Sequence, residues 1–295
     1  MSSNRSKGEP GKLRRMMRNL MRERLPWFAI IVISFVLFTA IFAPLISPHS
    51  STETSLPNRM IPPAWEEGGS QEHLIGTDTL GRDLATRILY GGRVSLGVVC
   101  IVLLAGGSVG LILGIIAAYS ARWVGDVIMR IADAVMSIPS LLLALVFSMT
   151  LGASMSTIVL ALSFELWARV ARLVRGEVLK IKNSDYVLLA RVSGCSTLRI
   201  MVFHIMPNVL NTFLVMLSLQ VGWVILTEAT LSFLGAGIPP PTPSWGQMIS
   251  EGRGYITSAW WISFFPGLIL AFTVLAFNLL GDWLRDKLDP KLRQL

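Results

Sequence analysis

Uncharged apolar runs recur along this chain. Residues Trp27–Ile46 carry no charge and follow a basic stretch with Arg14, Arg15, Arg18, Arg22 and Arg24. About 20 apolar residues cross a bilayer as a helix. The run ends in Ala43-Pro44-Leu45 rather than a small-residue cleavage site, which predicts a retained helix and not a removed signal. A second run covers 94–120. Between Asp133 and Glu165 lie 31 uncharged residues, too many for one crossing, with Gly152-Ala153-Ser154 among them. That pattern predicts a helical hairpin, 128–150 and 155–174. An apolar run at 209–234, charged only at Glu228, and an uncharged one at 260–281 complete the set. The expectation is an all-α integral membrane protein with six transmembrane helices.

Lysine and arginine orient such a chain, because cytoplasmic segments retain them. With the N-terminus inside, 21 of the 26 fall on inner segments and 5 on outer ones. The layout expected is a basic cytoplasmic arm (1–26), the first helix (27–46), an extracytoplasmic segment (47–93), a five-helix core (94–284) and a cytoplasmic tail (285–295). Outer loop 235–259 holds a proline run, and Trp245, Trp260 and Trp261 suit a headgroup belt. The inner connection 175–208 is apolar as well as basic. Hydrophobic residues spaced by three or four on both sides of Gly194 predict two short helices on the inner face, ending at Pro207. A surface of that kind calls for a protein partner.

Composition narrows the function. Residues of the set AVILMFWYC make up 53% of the chain and charged ones 15%, and the mean hydropathy is +0.60. A disordered chain, a collagen, a disulfide scaffold and a water-soluble enzyme are excluded. The net charge of +8 is accounted for by membrane insertion, so it gives no support to nucleic acid as a partner. Cys100 and Cys195 stand far apart and read as small buried or interfacial residues. His49, His73 and His204 are scattered, so no metal cage is visible and no cofactor is expected. No phosphate-cradling G-x-x-x-x-G-K-[ST] loop occurs, and no H-E-x-x-H. Residues 106–110 fit G-x-S-x-G, but no histidine lies in any expected span to serve as base. The same glycines, Gly106, Gly110 and Gly114, read as a small-residue stripe that admits a neighbouring helix.

Ionisable groups near the membrane are candidate pathway or gate residues. Glu228 is placed near the outer boundary beside Thr227 and Thr230. Asp133 has Arg130 as an i,i+3 partner, and Glu165 leads into Arg169, Arg172 and Arg175 at near-helical spacing. These are expected at the membrane boundaries and not at mid-depth. Outside, the run Gly76, Thr77, Asp78, Thr79, Leu80, Gly81, Arg82, Asp83 precedes a helix-like stretch. It reads as a capped turn, with a cation site as the alternative.

Two segments read together carry a resemblance. Residues 74–83 with Tyr90-Gly91-Gly92-Arg93-Val94-Ser95-Leu96 resemble the segment before the second span in permease subunits of peptide- and nickel-type ABC importers. Asp185, Tyr186, Ala190, Arg191 and Gly194, followed by Pro207 thirteen positions later, resemble the cytoplasmic coupling loop of that family, with Leu188 and Leu189 in place of its Glu-Ala. Glu228-Ala229-Thr230, Ser244-Trp245-Gly246 and Phe277-Asn278-Leu279-Leu280-Gly281-Asp282 add to the likeness, which points to the second permease of dipeptide/oligopeptide importers. The resemblance implies a non-catalytic subunit in lipid that pairs with a second homologous permease. Two cytoplasmic ATPases would dock at the coupling loop, and an extracytoplasmic binding protein would deliver the solute. A self-sufficient secondary transporter or an intramembrane hydrolase are the alternatives. The first lacks midplane charges and paired interrupted helices, and the second lacks a base.

Overall fold

A computed structural model describes residues 26–288, the side chain of Leu288 excepted. The expected basic arm up to residue 25 and the tail from 289 onward lie outside the described residues. The described chain is helical apart from loops and one isolated antiparallel bridge, Thr77 to Asp83. In order come α1 (Trp27–Ile46), α2 (Leu84–Tyr119), α3 (Arg122–Met136), α4 (Ser140–Leu151), α5 (Met155–Ile181), α6 (Asp185–Val192), α7 (Met206–Phe233), α8 (Trp245–Gly252) and α9 (Trp261–Leu288).

Among the described residues, four helical stretches are long and apolar enough to cross a membrane: Trp27–Ile46, Leu84–Tyr119, Thr197–Phe233 and Trp261–Lys287. Helices α3 and α4 are apolar enough only when taken together, so they make a fifth span if the bent pair counts as one. The remaining expected crossing is α5, whose 27 residues give about 40 Å of helix. Glu165, Arg169, Arg172 and Arg175 run along it, so it does not read as an apolar span.

The expected single helix 128–150 is instead two helices bent by 86°. Pro139 is the reason, because it has no amide to donate to the preceding helix and its own ψ of 130° lies outside the helical region. The two short helices expected around Gly194 also differ. The first is α6. The second, Thr197–Arg199, continues through a π-helical stretch Ile200–Ile205 into α7. Pro207 therefore lies inside a continuous helix. The widened ring before it, closed by Met206 N–H to the Met201 carbonyl, accommodates the missing donor.

Helices α2 and α5 form the main seam. Gly106, Gly110 and Gly114 face Ser163, Leu166, Trp167, Val170, Ala171 and Val174 of α5. A Cβ on Gly110 would lie 2.5 Å from Val170 Cβ, and one on Gly114 2.7 Å from Val174 Cβ. Backbones approach this closely only where side chains are absent. Helix α1 buries Ala29, Ile33, Val36, Ala40 and Ala43 at three- to four-residue spacing against α2 and α9. Its other faces expose Ile31, Phe35, Phe38 and Ile41, as lipid contact requires. Cys100 is likewise exposed, on α2, rather than buried.

The bundle has two distinct ends. At the loop end, 47–83 folds over the start of α2 and meets α8 and the start of α9. At the other end, α6 sits beside the end of α2, where Lys182 Nζ donates to the Ala118 carbonyl (3.0 Å) and Arg191 to the Tyr119 hydroxyl (3.3 Å).

Candidate functional site

The loop end is organised by Asp78. Its Oδ1 accepts the Leu80 and Arg82 amides at 2.8 and 3.0 Å, and its Oδ2 accepts Arg82 Nε at 2.6 Å and pairs with Arg87. Both guanidiniums continue to Glu251 on α8, at 3.0 Å from Arg82 and 2.8 Å from Arg87, and Gln247 Nε2 donates to the same carboxylate at 3.1 Å. Asp78, Arg82 and Arg87 are all buried. Burial pushes the Asp78 carboxyl up. Arg87, the Arg82 amide and guanidinium and the Leu80 amide outweigh it and hold the group below its ordinary value. A cation at Asp78 would face two guanidiniums, so the turn reading describes this carboxylate. Asp83 caps α2, its Oδ2 accepting the Thr86 amide at 2.8 Å. The Thr77 hydroxyl donates to the Asn58 carbonyl (2.6 Å) and accepts the Ile61 amide (2.8 Å). Gly76 and Gly81 take positive φ, and a Cβ on Gly81 would fall 1.9 Å from the Ser55 carbonyl oxygen.

The tryptophans depart from the expected headgroup belt. Trp245 is 1% exposed, lies on Gly91 and Gly92, and donates from Nε1 to the Ile88 carbonyl at 3.0 Å. Trp261 is buried and donates to the Thr77 carbonyl at 3.1 Å. Of these three, Trp260 alone is exposed, its ring tied to Glu66 at 3.0 Å. Each of these three indole N–H groups finds a carbonyl or a carboxylate, and two of the rings are packing cores for the loop end.

Glu228 is not an interfacial acid beside Thr227 and Thr230. It is fully buried and accepts Ser95 Oγ of α2 at 3.0 Å and Ser232 Oγ at 2.9 Å. The two threonine hydroxyls turn back to carbonyls of their own helix. An open cleft of about 290 Å³ reaches from Ser232 to Gln247 and Glu251, with Ile238 and Pro239 on its wall. Ser232, the partner of the buried Glu228, and Glu251 of the Asp78 network thus border the same space.

Glu165 lies ten residues into α5, in the middle third of the helix. It pairs with Arg169 and accepts Ser140 Oγ at 2.5 Å, while Arg169 stacks 4.3 Å over the Trp223 ring. Asp133 pairs with Arg172 of α5 and not with its neighbour Arg130. These contacts join α4 and α3 to α5 and α7 across the bend at Pro139.

At the other end, Tyr186, Leu188, Leu189 and Val192 of α6 are exposed, with Leu198 and Phe203 beyond them. Val187 alone on α6 is buried. Gly194 lies beyond the end of α6 and does not share a helix face with Ala190. The helix ends at Val192, Gly194 takes φ +78°, and the Gly194 and Cys195 amides reach the Arg191 and Ala190 carbonyls at 3.1 Å each. That is a Schellman stop. Asp185 opens the helix, where a negative charge suits the free amides.

A model of the binding-protein-dependent transport system inner membrane component matches residues 110–294, and one of the N-terminal membrane domain of oligopeptide transport permease C matches 12–63. The chain belongs to the binding-protein-dependent ABC importer permeases. It is 47% identical over 265 residues to the dipeptide transport system permease of Escherichia coli K12, covering 90% of this chain and 88% of that one. A peptide transport system permease of Brucella suis is 44% identical over 276 residues, covering 94% and 91%. Among solved structures, an inward-facing methionine ABC transporter superposes with TM-score 0.56 at 17% identity, covering 69% of this chain and 96% of that one. An amino acid ABC transporter superposes with TM-score 0.53 at 18% identity, covering 72% and 95%. These two share the fold. The permease is therefore a multi-pass inner-membrane transport subunit of a bacterium, with ATPase and substrate-binding proteins as separate partners.

Sequence reading had named the 76–83 motif, Glu228 and the coupling segment. Missing from it are the roles of Arg87, Glu251 and Gln247, which complete the network around the 76–83 motif, and of Ser95, which holds Glu228. A signal was present for two of them, since Gln247 and Glu251 lie four apart just after the Ser244-Trp245-Gly246 motif.

Proposed function

We propose that this permease forms half of a peptide pathway, paired with a second homologous permease and driven by two ATPases docked at α6. In this reading the chain crosses the membrane six times, α5 included, and both termini are cytoplasmic. The lysine and arginine bias supports that orientation. The peptide class rests on the relatives' names. Glu228, with the cleft beside it, stands at the outer mouth of the pathway. Glu165 and Asp133 hold the broken span α3–α4 to α5 as an inner gate.

One observation carries the coupling assignment. Helix α6 turns four large apolar side chains outward at the end opposite the loop network, and Val192 among them is 86% exposed. An amphipathic helix with its apolar face outward fits a groove on a protein partner. Tyr186 and Ala190 sit on this helix, while Arg191, Gly194 and Pro207 set its end and its approach to α7. Val192→Asp tests the reading, because it places a charge on the docking face without touching the bundle. The expected result is normal membrane abundance with loss of ATPase co-purification and of peptide uptake. Wild-type co-purification and uptake would refute docking at α6.

A further inference from the structure

The three histidines are scattered in sequence, yet the fold brings two of them together. His49 follows α1 by three residues, His73 lies in the loop, and Asp83 caps α2. Each can offer one ligand atom, and these atoms lie within 4.8 Å of one another. The two rings are 4.9 Å apart between centroids.

Each ring has one nitrogen committed to an oxygen acceptor. His73 Nδ1 meets Asp83 Oδ1 at 3.0 Å, and His49 Nε2 meets the Glu72 carbonyl at 3.1 Å. A nitrogen facing a backbone carbonyl must carry the proton, as must one facing a carboxylate. The opposite nitrogen of each neutral ring is then a bare lone pair. On His73 that atom is Nε2, which is buried without any hydrogen-bond partner in a residue only 5% exposed. A buried acceptor left unsatisfied is destabilising, and a ligand that fills it removes that cost. Histidines whose outer nitrogen donates to a carboxylate or carbonyl, leaving the inner one free, are arranged as metal ligands are.

We infer that the loop end binds one divalent transition-metal ion between His49 and His73, with the Asp83 carboxylate, held on the opposite nitrogen of the His73 ring, as the compensating charge. Imidazole nitrogen with carboxylate suits the zinc class and not magnesium, which prefers oxygen alone. His49 is only partly buried and lies on the coil after α1, so it can close on the ion. Bound there, the ion ties the end of α1 to the start of α2 across a loop of more than thirty residues. Its role is that of a staple, independent of the transported solute.

The test uses the full chain in lipid nanodiscs, purified through a tag without histidines and stripped of metal. Zn²⁺ alone is titrated by calorimetry, with thermal unfolding measured in parallel. Expected are one equivalent of Zn²⁺ bound, a raised Tm, no response to Mg²⁺, and affinity lower by about tenfold or more in His49→Ala and His73→Gln. His204→Ala, at the far end, should bind as wild type. His49→Ala keeps the test decisive if the buried His73 variant fails to fold. Absence of saturable Zn²⁺ binding to the wild type, or binding unchanged in His49→Ala, would overturn the assignment.

Discussion

Replacing Gly110 by alanine adds one methyl group where α2 and α5 touch. That carbon would lie 2.5 Å from Val170 Cβ, 2.7 Å from the Trp167 carbonyl oxygen and 2.8 Å from Val170 Cγ1. Carbon atoms pack at about 3.5–4.0 Å, so the two helices must part by about an ångström along the whole seam. Overpacking of this kind costs typically about 1–3 kcal/mol. Alanine recovers up to about 1 kcal/mol of that through its better helix propensity, and leucine adds further bulk with no such compensation beyond alanine's. Gly110→Ala should therefore lower Tm by a few degrees, and Gly110→Leu should prevent the seam from closing. A second substitution separates packing from any other cause. Val170→Ala removes the contact at Cγ1 but leaves the Cβ and the Trp167 carbonyl in place, so it should rescue Gly110→Ala only slightly. The assay is thermal unfolding of the purified chain in nanodiscs, with membrane abundance as a second readout. An unchanged Tm in Gly110→Ala, or full rescue by Val170→Ala, would refute the contact.

Two further outcomes are expected. The folded-state pKa of Asp78 is depressed below its ordinary 3.8, so the stability it contributes is complete above that value and is lost as pH falls through the lower folded value. Acid unfolding curves of wild type and Asp78→Asn should show it: the variant is less stable at neutral pH and loses less below about pH 4, and parallel curves would contradict the network. At Gly194 nothing lies within 4 Å of an added Cβ, while φ is +78°. Gly194→Ala and Gly194→Trp should thus weaken ATPase docking to a similar degree, through the backbone cost of about 1–2 kcal/mol, and tolerance of Ala with failure of Trp would mean that Gly194 itself is covered by the partner.

The membrane class, the apolar spans and the motifs of the transport family were legible in the residues, because they depend on local hydrophobicity and on spacing along the chain. The glycine stripe was legible for the same reason, since Gly106, Gly110 and Gly114 recur at helical spacing whichever helix they meet. Which helix that is depends on the tertiary structure, and it is α5. The partners of charged side chains were decided there too. Asp133 had Arg130 one turn away but pairs with Arg172, because a bend at Pro139 and close packing of α3 on α5 bring the latter nearer. Arg87 and Glu251, 164 positions apart, meet only because Trp245 seats α8 on Gly91 and Gly92. His49 and His73 are unrelated along the chain and become neighbours when the loop folds back over the start of α2. Short-range periodicity sets what each segment can be. Which buried polar groups satisfy one another is settled by packing, because unpaired charges are too costly inside the bundle to be left where the sequence first places them.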